Sequence, residues 1–340
     1  MVRACLVAAV ALLMGLAAAL AGGSAAIAQS PPEAIATAAA AATPASQPNL
    51  GQWSWGPALP QRRGEVGVAA LNGEVFVIGG DSGKGVDLPL AQAYDPANGK
   101  WELRTALPRG LDHVATLSLD GRLYAIGGWD REQNRAVADC WVYDPASDAW
   151  SAIAPLPSPH GSVAVAVLGG KIHALAGRDG NADAEHDVYD PDQDVWVRAA
   201  PLPAGTARDH LGLVALDGKL YALGGRFGDA AHASDLMQSY DPQTDRWQSL
   251  PALPTARGDG AATVYRNRLL YIGGELADGA ATANEAFDPA TGRWDRLAPL
   301  PQGRHGTGAV VVGDNLFLPA GEGQAGTNSG TDSLLIFNQP

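Results

Sequence analysis

Residues 123–157, LYAIGGWDREQNRAVADCWVYDPASDAWSAIAPLP, hold the pattern that organises the chain. An apolar run closes on Gly127-Gly128, a second ends in Tyr143-Asp144-Pro145, and a third begins at Trp150 and stops at Leu156-Pro157. The same order recurs throughout. The glycine-terminated runs VFVIGG, LYAIGG, IHALAG, LYALGG, LLYIGG and LFLPAG end at Gly80, Gly128, Gly177, Gly225, Gly274 and Gly321, at spacings of 48, 49, 48, 49 and 47 residues. A period near 50 built from short apolar segments belongs to radial β arrays, not to helical solenoids. Asn72-Gly73, Asp120-Gly121 and Asp217-Gly218 are dipeptides that accept the positive φ of tight hairpins, and Asp-Pro favours a turn. Each repeat therefore reads as a four-stranded meander.

Two details refine the repeat. Ala176 and Ala320 replace the first glycine of the pair while the second stays glycine in all six copies, so the backbone demand falls on the second position. Trp101, Trp150, Trp196, Trp247 and Trp294 each stand seven residues after the aromatic of the Asp-Pro motif and seven before a proline, a placement expected of wedges between twisted sheets. The sixth copy, DSLLIFNQP at 332–340, ends before its tryptophan. That tryptophan stands at the other end of the chain, in NLGQWSWGPALP (49–60), where Trp53 precedes Pro60 by seven. A strand from 49–60 is predicted to complete the last blade beside Leu334 to Phe337, hiding an open sheet edge.

Glycine pair, aromatic-Asp-Pro and tryptophan at this period resemble the Kelch repeat. The resemblance spans residues 49–340 and implies an all-β fold, a six-bladed Kelch β-propeller of four-stranded antiparallel blades.

The formal net charge of −13 argues against nonspecific binding to nucleic acid or to an anionic membrane surface. Residues 1–28 read as a signal peptide, with basic Arg3, an apolar run from Leu6 to Leu20 and Ala26-Ile27-Ala28 as the cleavage site; residues 29–48 read as an Ala/Pro-rich tether. A periplasmic or secreted protein is expected, without a later stretch long enough to span a membrane. Cys140 is the only cysteine after the leader, so no intrachain disulfide is expected.

Functional residues are expected on the longer loops after Gly-Gly and the connections after Leu-Pro, which share one face. Seventeen residues before the second glycine stand Arg63, Leu111, His160, Arg208, Arg257 and Arg304; two further on come Glu65, His113, Ser162, His210, Asp259 and Gly306; directly after the pair come Asp81, Trp129, Arg178, Arg226, Glu275 and Glu322. The resemblance places ligand-binding residues at such channel-mouth positions, which here gives Arg63, Arg178, Arg208, Arg226, Arg257, Arg304 and Trp129. Guanidinium groups suit carboxylates, so the expected partner is a small anionic ligand such as an acidic sugar, or an acidic protein loop. The same arginines could instead brace the blades. Asp112-His113 and Asp209-His210 invite an acid/base reading, but neighbours in a strand point to opposite faces, so internal dyads are not expected; His113 and His210 would face each other across the mouth. The chain also resembles the sialic acid mutarotase type of periplasmic Kelch protein, which implies a sugar isomerase as the alternative to a binding module. Glu65, His113, His210 and Asp259 are acceptable metal ligands in type, yet come from separate blades, and no metal or cofactor is expected. Cys140 reads as a small buried hydrophobe.

Overall fold

Each repeat folds into one antiparallel sheet in the computed structural model, which describes residues 49–324 and 330–339. The expected leader and tether, residues 1–48, lie outside the described residues. Blade 1 consists of Gly67–Leu71, Glu74–Ile78, Ala91–Asp95 and Lys100–Arg104, hydrogen-bonded in that order. Blades 2 to 5 repeat it over 115–152, 164–198, 212–249 and 261–296. The first strands of successive blades pack against one another around an axis, and the sixth packs against the first, so the ring is closed.

Closure joins the first and last described strands. Blade 6 takes Val310–Val312, Asn315–Pro319 and Leu334–Asn338 from the C-terminal region and Gln52–Trp55 as its outer strand. Trp53 lies opposite Phe337 with ring centroids 4.9 Å apart. Its indole N–H donates to Ala298 O of blade 5 at 2.9 Å. The other five motif tryptophans do the same: each donates to a backbone carbonyl of the preceding blade, Pro57, Thr105, Ala154, Ala200 or Pro251. A large ring thus fills the wedge between sheets while its one polar atom is satisfied.

The glycine pair behaves as its substitutions suggested. Ala176 and Ala320, at the first position, hold φ of 56° and 57°, a left-handed conformation that a methyl side chain tolerates. At the second position φ widens to 115° in Gly177 and 116° in Gly274, and a Cβ on Gly274 would lie 2.8 Å from Gly258 O. Only glycine fits there.

Blade 3 carries an oddity in its core. Where other blades place Phe76 or Phe317 in the second strand and Leu334 in the third, it places His173 and His186, whose Nδ1 and Nε2 are 2.9 Å apart. Burial lowers both to about 4, with their mutual repulsion adding at His173. The unfolded chain therefore binds protons between pH 6.5 and 4 that the native pair refuses, and stability falls as pH drops through that window, by about 2 kcal/mol per histidine at pH 5. The double variant His173→Phe, His186→Leu is expected to lose less stability than the parent between pH 8 and pH 5 in urea denaturation. Equal losses in the two proteins would refute this.

Candidate functional site

Glu65, His113, Ser162, His210, Asp259 and Gly306 occupy the same place in their blades, just before the innermost strand, and all six are left-handed, with φ between 50° and 62°. This conformation turns each backbone towards its neighbour. His113 N–H reaches Glu65 O (3.0 Å), Ser162 N–H reaches His113 O (3.3 Å) and Asp259 N–H reaches His210 O (2.7 Å), a partial belt of blade-to-blade hydrogen bonds. The side chains enter a cavity of about 130 Å³ at the head of the channel. Non-glycine residues in this region of φ/ψ space store on the order of 1–3 kcal/mol each, and such strain gathers at functional sites.

The left-handed turn also undoes an expectation. Neighbouring side chains in a strand diverge, but His113 and His210 are not in strand conformation, and each bonds the aspartate before it: Asp112 Oδ1 to His113 Nδ1 at 2.7 Å, Asp209 Oδ1 to His210 Nδ1 at 2.6 Å. Both Asp-His pairs are internal dyads after all. The two imidazoles do meet across the axis, edge to face, with ring centroids 5.1 Å apart.

The partners of each ring assign its protons. His113 Nδ1 is hydrogen-bonded to Asp112 Oδ1, and its Nε2 forms an ion pair with Glu65 Oε2 at 3.1 Å. Burial opposes the charge, but Glu65 and Asp112 outweigh it and lift His113 to about 9. His210 donates from Nδ1 to Asp209, while Nε2 accepts from Arg226 Nη2 and Ser162 Oγ, both at 3.0 Å. It is neutral, with burial and the charge of Arg226 holding it well below the usual histidine range. Glu65 is raised to about 7 by burial and by Asp259. One cationic and one neutral imidazole thus share a cavity with a carboxyl poised near neutrality, a separation that distinguishes acid from base.

His305, which sequence reasoning passed over, completes the cluster. Its Nδ1 donates to Asp259 Oδ2 (2.8 Å) and its Nε2 to Gln324 O (2.9 Å). Burial works against the charge, yet the bond to Asp259 prevails and raises His305 to about 10. A signal was available: the position between the arginine column and the cavity column reads Gly64, Asp112, Gly161, Asp209, Gly258, His305, so polar residues stand in alternate blades. The glycines admit a neighbour's side chain. A Cβ on Gly64 would lie 2.3 Å from Glu322 Cγ, and one on Gly161 would lie 3.1 Å from Trp129 Cε3. Glu65, Asp259 and His305 place ligand atoms within 4.8 Å of one another, but a histidine donating from both nitrogens has no lone pair for a metal.

Four of the six expected binding arginines are elsewhere. Arg63, Arg208, Arg257 and Arg304 are at most 1 % exposed and run back into their own blades. Arg257 donates to Gly273 O (2.6 Å), Tyr271 O (2.7 Å) and Glu285 Oε2 (2.6 Å); Arg208 bonds Gly224 O and Gln238 Oε1; Arg63 bonds Val77 O and Gln92; Arg304 bonds Ala320 O and Ser333 Oγ. They brace the sheets and are out of a ligand's reach, because the left-handed residue that follows breaks the two-residue alternation on which the expectation rested.

Trp129, Arg178 and Arg226 are half-buried, and their backbones bridge to the residues just before those that line the cavity. Arg226 is engaged by Asp209 and Glu275, and Arg131, in the corresponding loop of blade 2, by Asp81, Asp87 and Asp112. Arg178 makes no ion pair among the described residues; its guanidinium carbon lies 5.6 Å from the Trp129 ring centroid, and its Nε is buried without a hydrogen-bond acceptor. Cys140 is 2 % exposed, and burial pushes its thiol up to about 12, in keeping with a packing role.

Residues 62–108, 112–157 and 207–254 match the model of the Kelch motif. Three of the six blades thus carry the Kelch motif within a six-bladed β-propeller. The Kelch motif accounts for the glycine pairs and wedge tryptophans, and the remaining blades repeat its geometry. The solved structure of YjhT resembles this Kelch ring with a TM-score of 0.71 at 18% sequence identity, covering 82% of this chain and 96% of that one. At such identity the likeness speaks to fold. No curated protein matches the chain in sequence.

Proposed function

We propose that this Kelch propeller is an exported binding protein that captures a small carboxylate-bearing ligand, an acidic sugar foremost, at the mouth of its channel. The supporting observation is Arg178. Arg131 and Arg226, in the loops of blades 2 and 4, are already neutralised by carboxylates, whereas Arg178 keeps a buried Nε–H without an acceptor, next to an indole against which a sugar ring can stack. Ser162, His113 and Glu65 below supply hydroxyl-directed hydrogen bonds. Export rests on the leader-like residues 1–28.

A second reading, a sugar isomerase of the mutarotase type, draws on the His113–His210 pair. Ring opening needs a proton delivered to one oxygen and another withdrawn, and a cationic imidazole 5.1 Å from a neutral one offers both. One experiment addresses both readings. Sialic and glucuronic acids are titrated calorimetrically against the parent protein and Arg178→Ala, with neutral sugars as controls, and anomer exchange is followed by NMR in the same samples. Acid-selective binding weakened at least tenfold in the variant is expected. Unchanged affinity in Arg178→Ala would remove the assignment; exchange abolished by His113→Gln would favour the isomerase.

A further inference from the structure

The arginine brace is written differently from blade to blade, and in blade 6 Arg304 donates instead to Ser333 Oγ. The column of Arg63, Arg208 and Arg257 faces Gln92, Gln238 and Glu285 on the third strand. Blade 2 replaces both members by apolar residues, Leu111 and Trp141, which are buried. Blade 3 breaks the pairing. It keeps an acid, Asp187, only 2 % exposed, but has His160 where the guanidinium belongs. Two further carboxylates, Asp183 and Glu185, turn in from the adjoining loop.

His160 is itself 4 % exposed and aimed into this group. Its Nδ1 lies 2.9 Å from Asp183 Oδ2 and its Nε2 3.3 Å from Glu185 Oε2, yet both contacts are out of line and neither ring nitrogen makes a hydrogen bond. Ligand atoms of His160, Glu185 and Asp187 lie within 4.8 Å of one another, and ligands on a tetrahedral ion with bonds of about 2 Å sit roughly 3.3 Å apart, so a modest inward movement would complete a shell. Ser158 Oγ already orients Glu185 by donating to Oε2 at 2.8 Å. Among the described residues, the one other cation that pairs with the group is Arg198, which contacts Glu185 and Asp187 from the rim with its side chain 45% exposed, free to swing into solvent. Asp183 and Glu185 are 27% and 35% exposed, which leaves an entry path.

We propose that blade 3 holds a structural site for a divalent transition-metal ion such as Zn²⁺, ligated by His160, Asp183, Glu185 and Asp187, in the place that a guanidinium fills in blades 1, 4, 5 and 6. One imidazole with three carboxylates suits a borderline ion, and the ion supplies the positive charge that the arginine gives elsewhere. The site is distinct from the axial cavity and does not depend on the ligand proposed for it.

Chelator-treated full-length protein titrated with ZnCl₂ is expected to bind one equivalent at micromolar affinity or tighter, with a rise of several degrees in Tm. His160→Arg restores the residue that this chain uses at the same place in other blades; it is expected to fold and to bind Zn²⁺ at least thirtyfold more weakly. The near-isosteric pair Asp183→Asn, Glu185→Gln, at partly exposed positions, is expected to show the same loss and serves if His160→Arg fails to fold. Absence of saturable zinc binding, or zinc affinity in a folded variant equal to that of the parent, would overturn the site.

Discussion

Deletion of residues 49–60 is expected to leave a protein without a cooperative unfolding transition at room temperature. The segment contributes the whole outer strand of blade 6, with Trp53 packed on Phe337 and hydrogen-bonded to Ala298 across the blade boundary. Leu59 is buried, and the backbone bonds Gly56 N–H to Leu334 O and Leu59 N–H to Asp332 O continue the seam. Without it, Leu334–Asn338 becomes a free edge and Phe337, now fully buried, loses its cover. The loss is at least about 5 kcal/mol, comparable with the entire stability of an ordinary domain. Circular dichroism melting and gel filtration test it; a sharp transition at the parent's temperature would show that the ring does not need this strand.

Arg257→Ala is expected to be the most damaging single substitution away from the seam, lowering stability by about 3–5 kcal/mol. Arg257 is fully buried, and its guanidinium carbon lies 4.7 Å from the Tyr271 ring centroid. Truncation leaves Glu285, 1 % exposed, as a buried charge whose remaining side-chain hydrogen bond among the described residues is from Thr255 Oγ1, and strips donors from the carbonyls of Gly273 and Tyr271. The energetic centre is the abandoned carboxylate. The double variant Arg257→Leu, Glu285→Trp, which copies the apolar pair of blade 2, is therefore expected to recover part of the loss. A double variant less stable than Arg257→Ala by urea denaturation would contradict this account.

The ring was legible because its determinants are local and repeated. A hairpin dipeptide, a glycine needing an extreme φ and a tryptophan at fixed spacing each leave a letter in every copy, and six aligned copies filter out accidents. Trp53 could be placed in the last blade from spacing alone. The site was less legible, since it depends on one backbone torsion per blade that no residue type announces. Glu, His, Ser and Asp are ordinary strand-edge residues, and only their positive φ sends them inward while the preceding arginines turn back into the sheet. An alternation rule applied across that residue inverted the roles of Arg63, Arg208, Arg257 and Arg304 and hid the bonds of Asp112 to His113 and Asp209 to His210. His305 was missed because it stands alone in a column otherwise of glycine and aspartate.

The seam in blade 6 also sets a clock for biosynthesis. Ser54 and Ile336, partners in the last sheet, are 282 residues apart in the chain, so at roughly 5–20 residues per second the first strand made waits on the order of 15 to 60 s for its partner. Throughout that interval a tryptophan-bearing segment has no sheet to join, and the blades completed so far form an open arc with an unpaired face at each end. The strand that makes the finished ring seamless is thus the one most in need of protection while the protein is being made.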